Sequence, residues 1–167
     1  MKAFQLVQTI GSIGVIGLMA VVWGLPAGPA IMFYGWASEL IALDGAWVNA
    51  FYTGIVAASA VIIYMLCLTF FAAILQFVLH VRVKEHTVVP LESMTTIRWA
   101  ICGQVGRSIR PFMQHLVPSF VANAYLRISG ASIEKGAQIN TAQINDPNLV
   151  TIQSGVVIGA VSYTHLR

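Results

Sequence analysis

The sequence has too little charge for an ordinary soluble domain. Asp, Glu, Lys and Arg make up 9% of the 167 residues, against about 25% in a typical soluble protein. None of the four occurs from Ala3 to Ser38, and none from Gly45 to Val81. Apolar residues reach 57% and the mean hydropathy is +0.79. This balance points to a bilayer. Cysteine is also scarce. Cys67 lies in an apolar run and Cys102 beyond it, with neither a disulfide framework nor a metal-ligand spacing, so both read as small buried apolar residues. His86 and His115 have no carboxylate or histidine partner at metal-ligand spacing. No phosphate loop, nucleophile elbow or nucleic-acid motif is present.

What is there begins with two apolar runs. A hydrocarbon core of about 30 Å needs roughly 20 apolar helical residues, and both runs exceed that. The first predicts a spanning helix from about Leu6 to Leu25. A kink or break follows at Pro26 and Pro29, because proline removes a donor and clashes with the preceding turn. Phe33, Tyr34 and Trp36 then suit the membrane interface. A cleaved signal peptide fits poorly, since the basic leader is weak and the apolar part too long. The second run, from Ala50 to Val81, reads as one long helix, tilted or protruding. Lys2 precedes the first span, the connecting loop carries Glu39 and Asp44, and Arg82 and Lys84 follow the second span. Basic residues mark the cytoplasmic side, so both termini are expected there. Gly11, Gly14 and Gly17, and the pair Gly54 and Ala58, suit close helix packing in the hairpin or between copies. His80 reads as an interfacial histidine. Two spans without a polar intramembrane pair give no transport path.

From residue 83 to 127 the texture changes. Ile97, Ile101, Val105 and Ile109 share one side of a helical wheel, Glu92, Arg107 and Arg110 gather on another, and Arg98 falls on the apolar side. Such helices either lie on the cytoplasmic face with arginines near anionic headgroups or pack on the domain that follows. Pro111 and Pro118 punctuate them.

After Gly130 no helical period remains. Aliphatics stand six apart at Ile133 and Ile139, at Ile144 and Val150, and at Ile152 and Ile158. Gly136 and Gly155 follow an aliphatic by three residues, where a turn needs a small or left-handed residue. A repeat of this period suggests a parallel β-helix whose coils need stacked neighbours. The stretch "YLRISGASIEKGAQINTAQINDPNLVTIQSGVVIG" resembles membrane-anchored bacterial hexapeptide-repeat acyltransferase-like proteins. It is most similar to those related to the C-terminal membrane domain of polylysine-synthetase-type non-ribosomal peptide synthetases. Members carry "YLRLLGAKIG" running into "INTT-I-DPDLI-IGD-VVIG". The likeness covers Tyr125 to Gly159 without a gap, and "VPLESMTTIRW" resembles an upstream segment of the same proteins. Where members have Ile-Gly at coil starts, this chain has Ile133-Glu134 and Ile152-Gln153.

The expected architecture is a transmembrane hairpin over 1–82, an amphipathic interfacial connector over 83–127, and the truncated start of a left-handed parallel β-helix over 128–160. The resemblance implies an acyltransferase of the bacterial inner membrane that takes acyl-CoA as donor and forms a homotrimer through the β-helix. It also allows a peptide- or isopeptide-bond-forming domain associated with a synthetase, or a non-catalytic membrane scaffold. In catalytic relatives a histidine acts as general base within about ten residues after "VVIG". His165 stands near that place, but the final "VSYTHLR" resembles the translation of a transposase adapter used for sequencing libraries. Residues 161–167 are therefore expected to be artefact, His165 with them, and the catalytic histidine to lie at or beyond the truncation. Asn140, Asn145 and Asp146 are the remaining candidates for substrate contact, along a coil edge. Such residues more often satisfy turn backbone.

Overall fold

A computed structural model describes residues 2–40, 44–79, 81, 83 and 88–160. His80, Arg82, Lys84, His86 and the tail with His165 lie outside the described residues. The protein is mostly helical with little strand, and it divides into two compact units, 1–71 and 72–167.

The first unit holds α1 (Lys2–Glu39) and most of α2 (Ala46–Leu79). Both helices are long and apolar enough to cross a membrane. The candidate spans are Gly11–Glu39, of 29 residues, and Ala46–Leu79, of 34. At 1.5 Å per residue they measure about 44 and 51 Å, well beyond a hydrocarbon core of about 30 Å. Only 17% and 28% of their most apolar windows are buried, whereas the core helix of a soluble protein is mostly covered. Ile16, Met32 and Phe51 each expose more than two thirds of their surface.

The helix expected to end near Leu25 does not end there. α1 runs through Pro26 and Pro29 to Glu39 without interruption. Each proline removes one rung of the ladder, and the rungs on either side persist. In an apolar helix the alternative, a broken segment with several bare backbone groups, costs far more. Among the described residues, those buried on α1 are Val22, Pro26, Ala30 and Ala37, which form one narrow stripe. Tyr52 near the start of α2 donates its hydroxyl to the Ala37 carbonyl. The glycines expected to bring helices together lie elsewhere. Gly11, Gly14, Gly17, Gly54 and Ala58 are all exposed.

The second unit begins with the last turns of α2, where Ala72, Ala73 and Gln76 are buried. α3 (Met94–Leu116) is capped by Ser93, whose hydroxyl accepts from the Thr96 N–H at 3.2 Å. It passes through Pro111 and buries Val105, Ile109 and Met113. A cis Val117–Pro118 bond precedes α4 (Phe120–Ile128), and the Ser119 hydroxyl caps that helix. α4 is strongly amphipathic by burial, with Val121, Ala122, Tyr125 and Leu126 inside. It stops at Gly130, whose φ of 110° closes a Schellman-type end. The Ala131 N–H bonds the Leu126 carbonyl at 2.9 Å, and the Gly130 N–H bonds that of Arg127 at 3.0 Å.

Four two-residue strands follow: β1 (Ser132–Ile133), β2 (Gln138–Ile139), β3 (Thr151–Ile152) and β4 (Val157–Ile158). β1 pairs with β3 and β2 with β4, both in parallel, with Ile133 opposite Ile152 and Ile139 opposite Ile158. Every pairing thus spans 19 residues. Ile139 and Ile152 are buried, while Ser132, Gln138, Thr151 and Val157 face out. The turns between strands use Gly136 at φ 78° and Gly155 at φ 73°, as the glycine spacing predicts. The expected second hexad, from Ile144 to Val150, makes no strand. A 3-10 turn at Pro147–Leu149 occupies it, because proline cannot donate to a ladder.

Two glycine substitutions separate strain from crowding. Gly136→Ala places a side chain at positive φ with ample space, its nearest neighbour being the Gly155 nitrogen at 3.7 Å. It should cost about 1 kcal/mol. In Gly130→Ala the added carbon meets the Asn148 Cα at 3.0 Å as well, so the loss should be clearly larger. Thermal denaturation of both variants in one detergent checks the order, and equal losses would contradict it.

Candidate functional site

The second unit offers one broad groove, of about 390 Å³, between α3 and the segment around Asn145. Helical spacing makes its floor. Trp99, Gly103, Arg107 and Arg110 stand four, four and three residues apart, so they share one side of α3. The opposite side carries Val105, Ile109 and Met113 into the core. A carbon added at Gly103 would meet nothing within 4 Å, so the middle of the floor is low and open.

Side-chain bonds across 35 to 47 residues hold the far wall. The Trp99 indole N–H donates to Asp146 Oδ1 at 2.8 Å, and the Arg110 guanidinium donates to Asn145 Oδ1. Asn148 reaches in another direction and donates its amide to the Val81 carbonyl. The segment 145–148 is thereby tied to α3 and to the chain just beyond α2. Arg107 is exposed, and no partner for its guanidinium is found among the described residues.

Beneath the groove lies a buried polar contact. The Gln76 amide donates to the Tyr125 hydroxyl at 3.0 Å and to the Cys102 carbonyl at 3.5 Å. Gly106 makes room for it, since a carbon there would come within 3.3 Å of Gln76 Nε2. Burial raises the Tyr125 phenol above its ordinary value, and the bond from Gln76 only partly offsets this. Burial also raises the Cys102 thiol, and the Asp146 charge adds to the effect. Cys102 is therefore a poor nucleophile at neutral pH.

The three candidate residues divide. Asn145 and Asp146 come together on the groove wall, and neither closes turn backbone with its side chain. Asp146 starts the 3-10 turn without capping it. Asn140 sits apart, in a shallower depression with Gln114 and Thr141. Its backbone N–H bonds the Ile158 carbonyl at 2.9 Å. Trp99, Gly103 and Arg107 were not singled out as site residues by the sequence. The signal was the 4-4-3 spacing of one aromatic, one glycine and two arginines opposite the aliphatic side. His115 lies in the last turn of α3 and is exposed. No triad of nucleophile, base and orienting acid forms among the described residues. The groove can bind a ligand by charge, hydrogen bonding and aromatic contact.

No family model, curated protein or solved structure matches this chain.

The buried phenol carries a pH signature. Folded Tyr125 holds its proton more tightly than the unfolded chain does. Stability should therefore be unaffected by this group below the ordinary tyrosine value of 10.0 and fall as pH rises above it. Tyr125→Phe should remove that alkaline decline. It should also lower stability at pH 7 by about 1–3 kcal/mol, because the Gln76 amide loses its best acceptor. Melting curves from pH 7 to 11 read both effects. An unchanged alkaline slope in the variant would show that the decline belongs elsewhere.

Proposed function

We propose that this chain is the membrane-anchored front of a bacterial inner-membrane hexapeptide-repeat acyltransferase. The 19-residue parallel offset between β1 and β3 and between β2 and β4 is the observation that supports the reading best. A coil of three six-residue faces takes 18 residues, so this offset reads as one coil of a left-handed parallel β-helix with a single inserted residue. Two left-handed glycine turns at equivalent places, and aliphatics facing inward at six-residue spacing, agree with it. Two helices long and apolar enough to cross a membrane supply the anchor. The resemblance of residues 125–159 to membrane-anchored acyltransferase-like proteins supplies the chemistry.

In that chemistry a histidine on a following coil takes the proton from an acceptor hydroxyl or amine. The freed lone pair attacks the thioester carbon of acyl-CoA, backbone N–H groups steady the oxyanion, and the thiolate leaves and recovers the proton. Asn145 and Asp146 belong to the α3 groove in this reading and have no part in proton transfer. Trimer formation through the β-helix is part of the same proposal.

Membranes from cells expressing the intact gene should release CoA from acetyl-CoA, and replacing the coil histidine with alanine should reduce the rate by about 10²–10⁴-fold. Release that is indifferent to the histidine would remove the transferase reading. Topology is separately testable. Alkaline phosphatase fused after Asp44 should be active and fused after Ile128 inactive, since the distribution of basic residues assigns both termini to the cytoplasm in this reading. The reverse pattern would overturn the orientation.

A further inference from the structure

The α3 groove is suited to one class of ligand, and its charge pattern is the reason. Arg107 and Arg110 stand one turn apart on the floor and wall, while Asp146 faces the same space beside Trp99. Two guanidinium groups suit a phosphate, which Arg binds through paired donors. Arg110 uses one donor on Asn145 and keeps others, and Arg107 spends none of its own on the described residues. Asp146 commits Oδ1 to the indole and keeps Oδ2 for a cation. Next to it, the Trp99 ring is half exposed and offers a surface that attracts ammonium. We propose that this groove binds the headgroup of a zwitterionic phospholipid, with the phosphate at Arg107 and Arg110 and the ammonium at Asp146 and Trp99.

Two observations point to a lipid and away from a soluble phosphate. The first is depth. Gln76, three residues before the end of α2, bonds the Cys102 carbonyl and lies against Gly106. The middle of α3 is thus fastened to the end of an apolar helix about 20 Å longer than a hydrocarbon core. In the proposal the groove meets headgroups because it is fastened to the last turn of the helix that crosses the bilayer. The second is the rim. Met94, Ile97 and Trp99 are 65%, 47% and 50% exposed at the N-terminal end of α3, an apolar edge on which acyl chains can lie. The volume of about 390 Å³ lies at the small end of the range for ligand sites, enough for a headgroup with its tails outside.

The proposal rests on α2 crossing the membrane and is independent of acyl transfer. The test is native mass spectrometry of the full chain, stripped of lipid and then offered phosphatidylethanolamine or phosphatidylglycerol. Wild type should retain phosphatidylethanolamine about tenfold better than phosphatidylglycerol. Arg107→Gln should weaken both lipids by about tenfold, the loss of one charge-assisted contact. Asp146→Asn should erase only the preference, because asparagine still accepts from the indole and no longer binds ammonium. Gly103→Leu should block both lipids by filling open space where no clash is expected. Equal retention of the two lipids by wild type, or full retention by Gly103→Leu, overturns the proposal. Competition by soluble glycerophosphoethanolamine at the same concentration as the lipid overturns it in favour of a soluble ligand. Extraction of the cell membranes with alkaline carbonate separates the two levels. A chain that resists extraction but lacks lipid preference refutes the headgroup site and leaves the membrane anchor standing, whereas an extracted chain refutes the anchor.

Discussion

A glutamine near the end of an apolar helix is the constraint on which the second unit depends. Buried without a partner, the Gln76 amide would cost several kcal/mol. It is 7% exposed and finds the Tyr125 hydroxyl and the Cys102 carbonyl. That one side chain joins the last turns of α2 to α3 and α4. Gly106 is required where it passes, and the Tyr125 ring is fixed in the core by the same contact. α3 then has one side in the core and the other free, and the free side becomes the floor of the groove. Asn148 adds a second tie to the chain beyond α2 through the Val81 carbonyl.

The coils inherit their position from this frame. α4 delivers the chain to β1 through the left-handed Gly130, which has Asn148 packed directly against it. A larger residue there would push away the very segment that carries Asn145 and Asp146. The small strands then pair in parallel across 19 residues and bury Ile139 and Ile152. Val157, on the outer side of β4, stays 62% exposed. Coils of this kind gain stability from neighbours, because each buries its face only against the next. The two proposals therefore rest on different parts of the second unit, lipid binding on the groove and acyl transfer on the paired strands.

Much of this was legible in the sequence, wherever the signal was local. Two uncharged runs marked two long helices. The six-residue spacing of Ile133 with Ile139 and of Ile152 with Ile158 marked the paired strands, and the glycines three residues after an aliphatic marked the left-handed turns. Local rules also misled. Proline marked a kink or break after Leu25, and α1 does not break there, because a mostly paired ladder outweighs two missing donors. Ile144 and Val150 kept the hexad spacing while Pro147 between them prevented a strand. Of the candidate site, Asn145 and Asp146 were visible as candidates for substrate contact, and Arg107 and Arg110 only as the polar side of a helix. The partners of Asn145 and Asp146, Arg110 and Trp99, lie 35 and 47 residues away, a distance over which sequence spacing carries no signal. Ile97 shared the apolar side of the helical wheel but stays exposed, because the core contacts begin only at Val105.

The most direct test is the genomic sequence of this locus, read on single unamplified molecules through the codons after Ala160. A transferase solenoid predicts that the six-residue spacing of aliphatics continues, that VSYTHLR is absent, and that a histidine stands on the next coil. A genomic VSYTHLR followed by a stop codon would contradict it, and would leave a small membrane protein whose two stacked coils have no transferase to support.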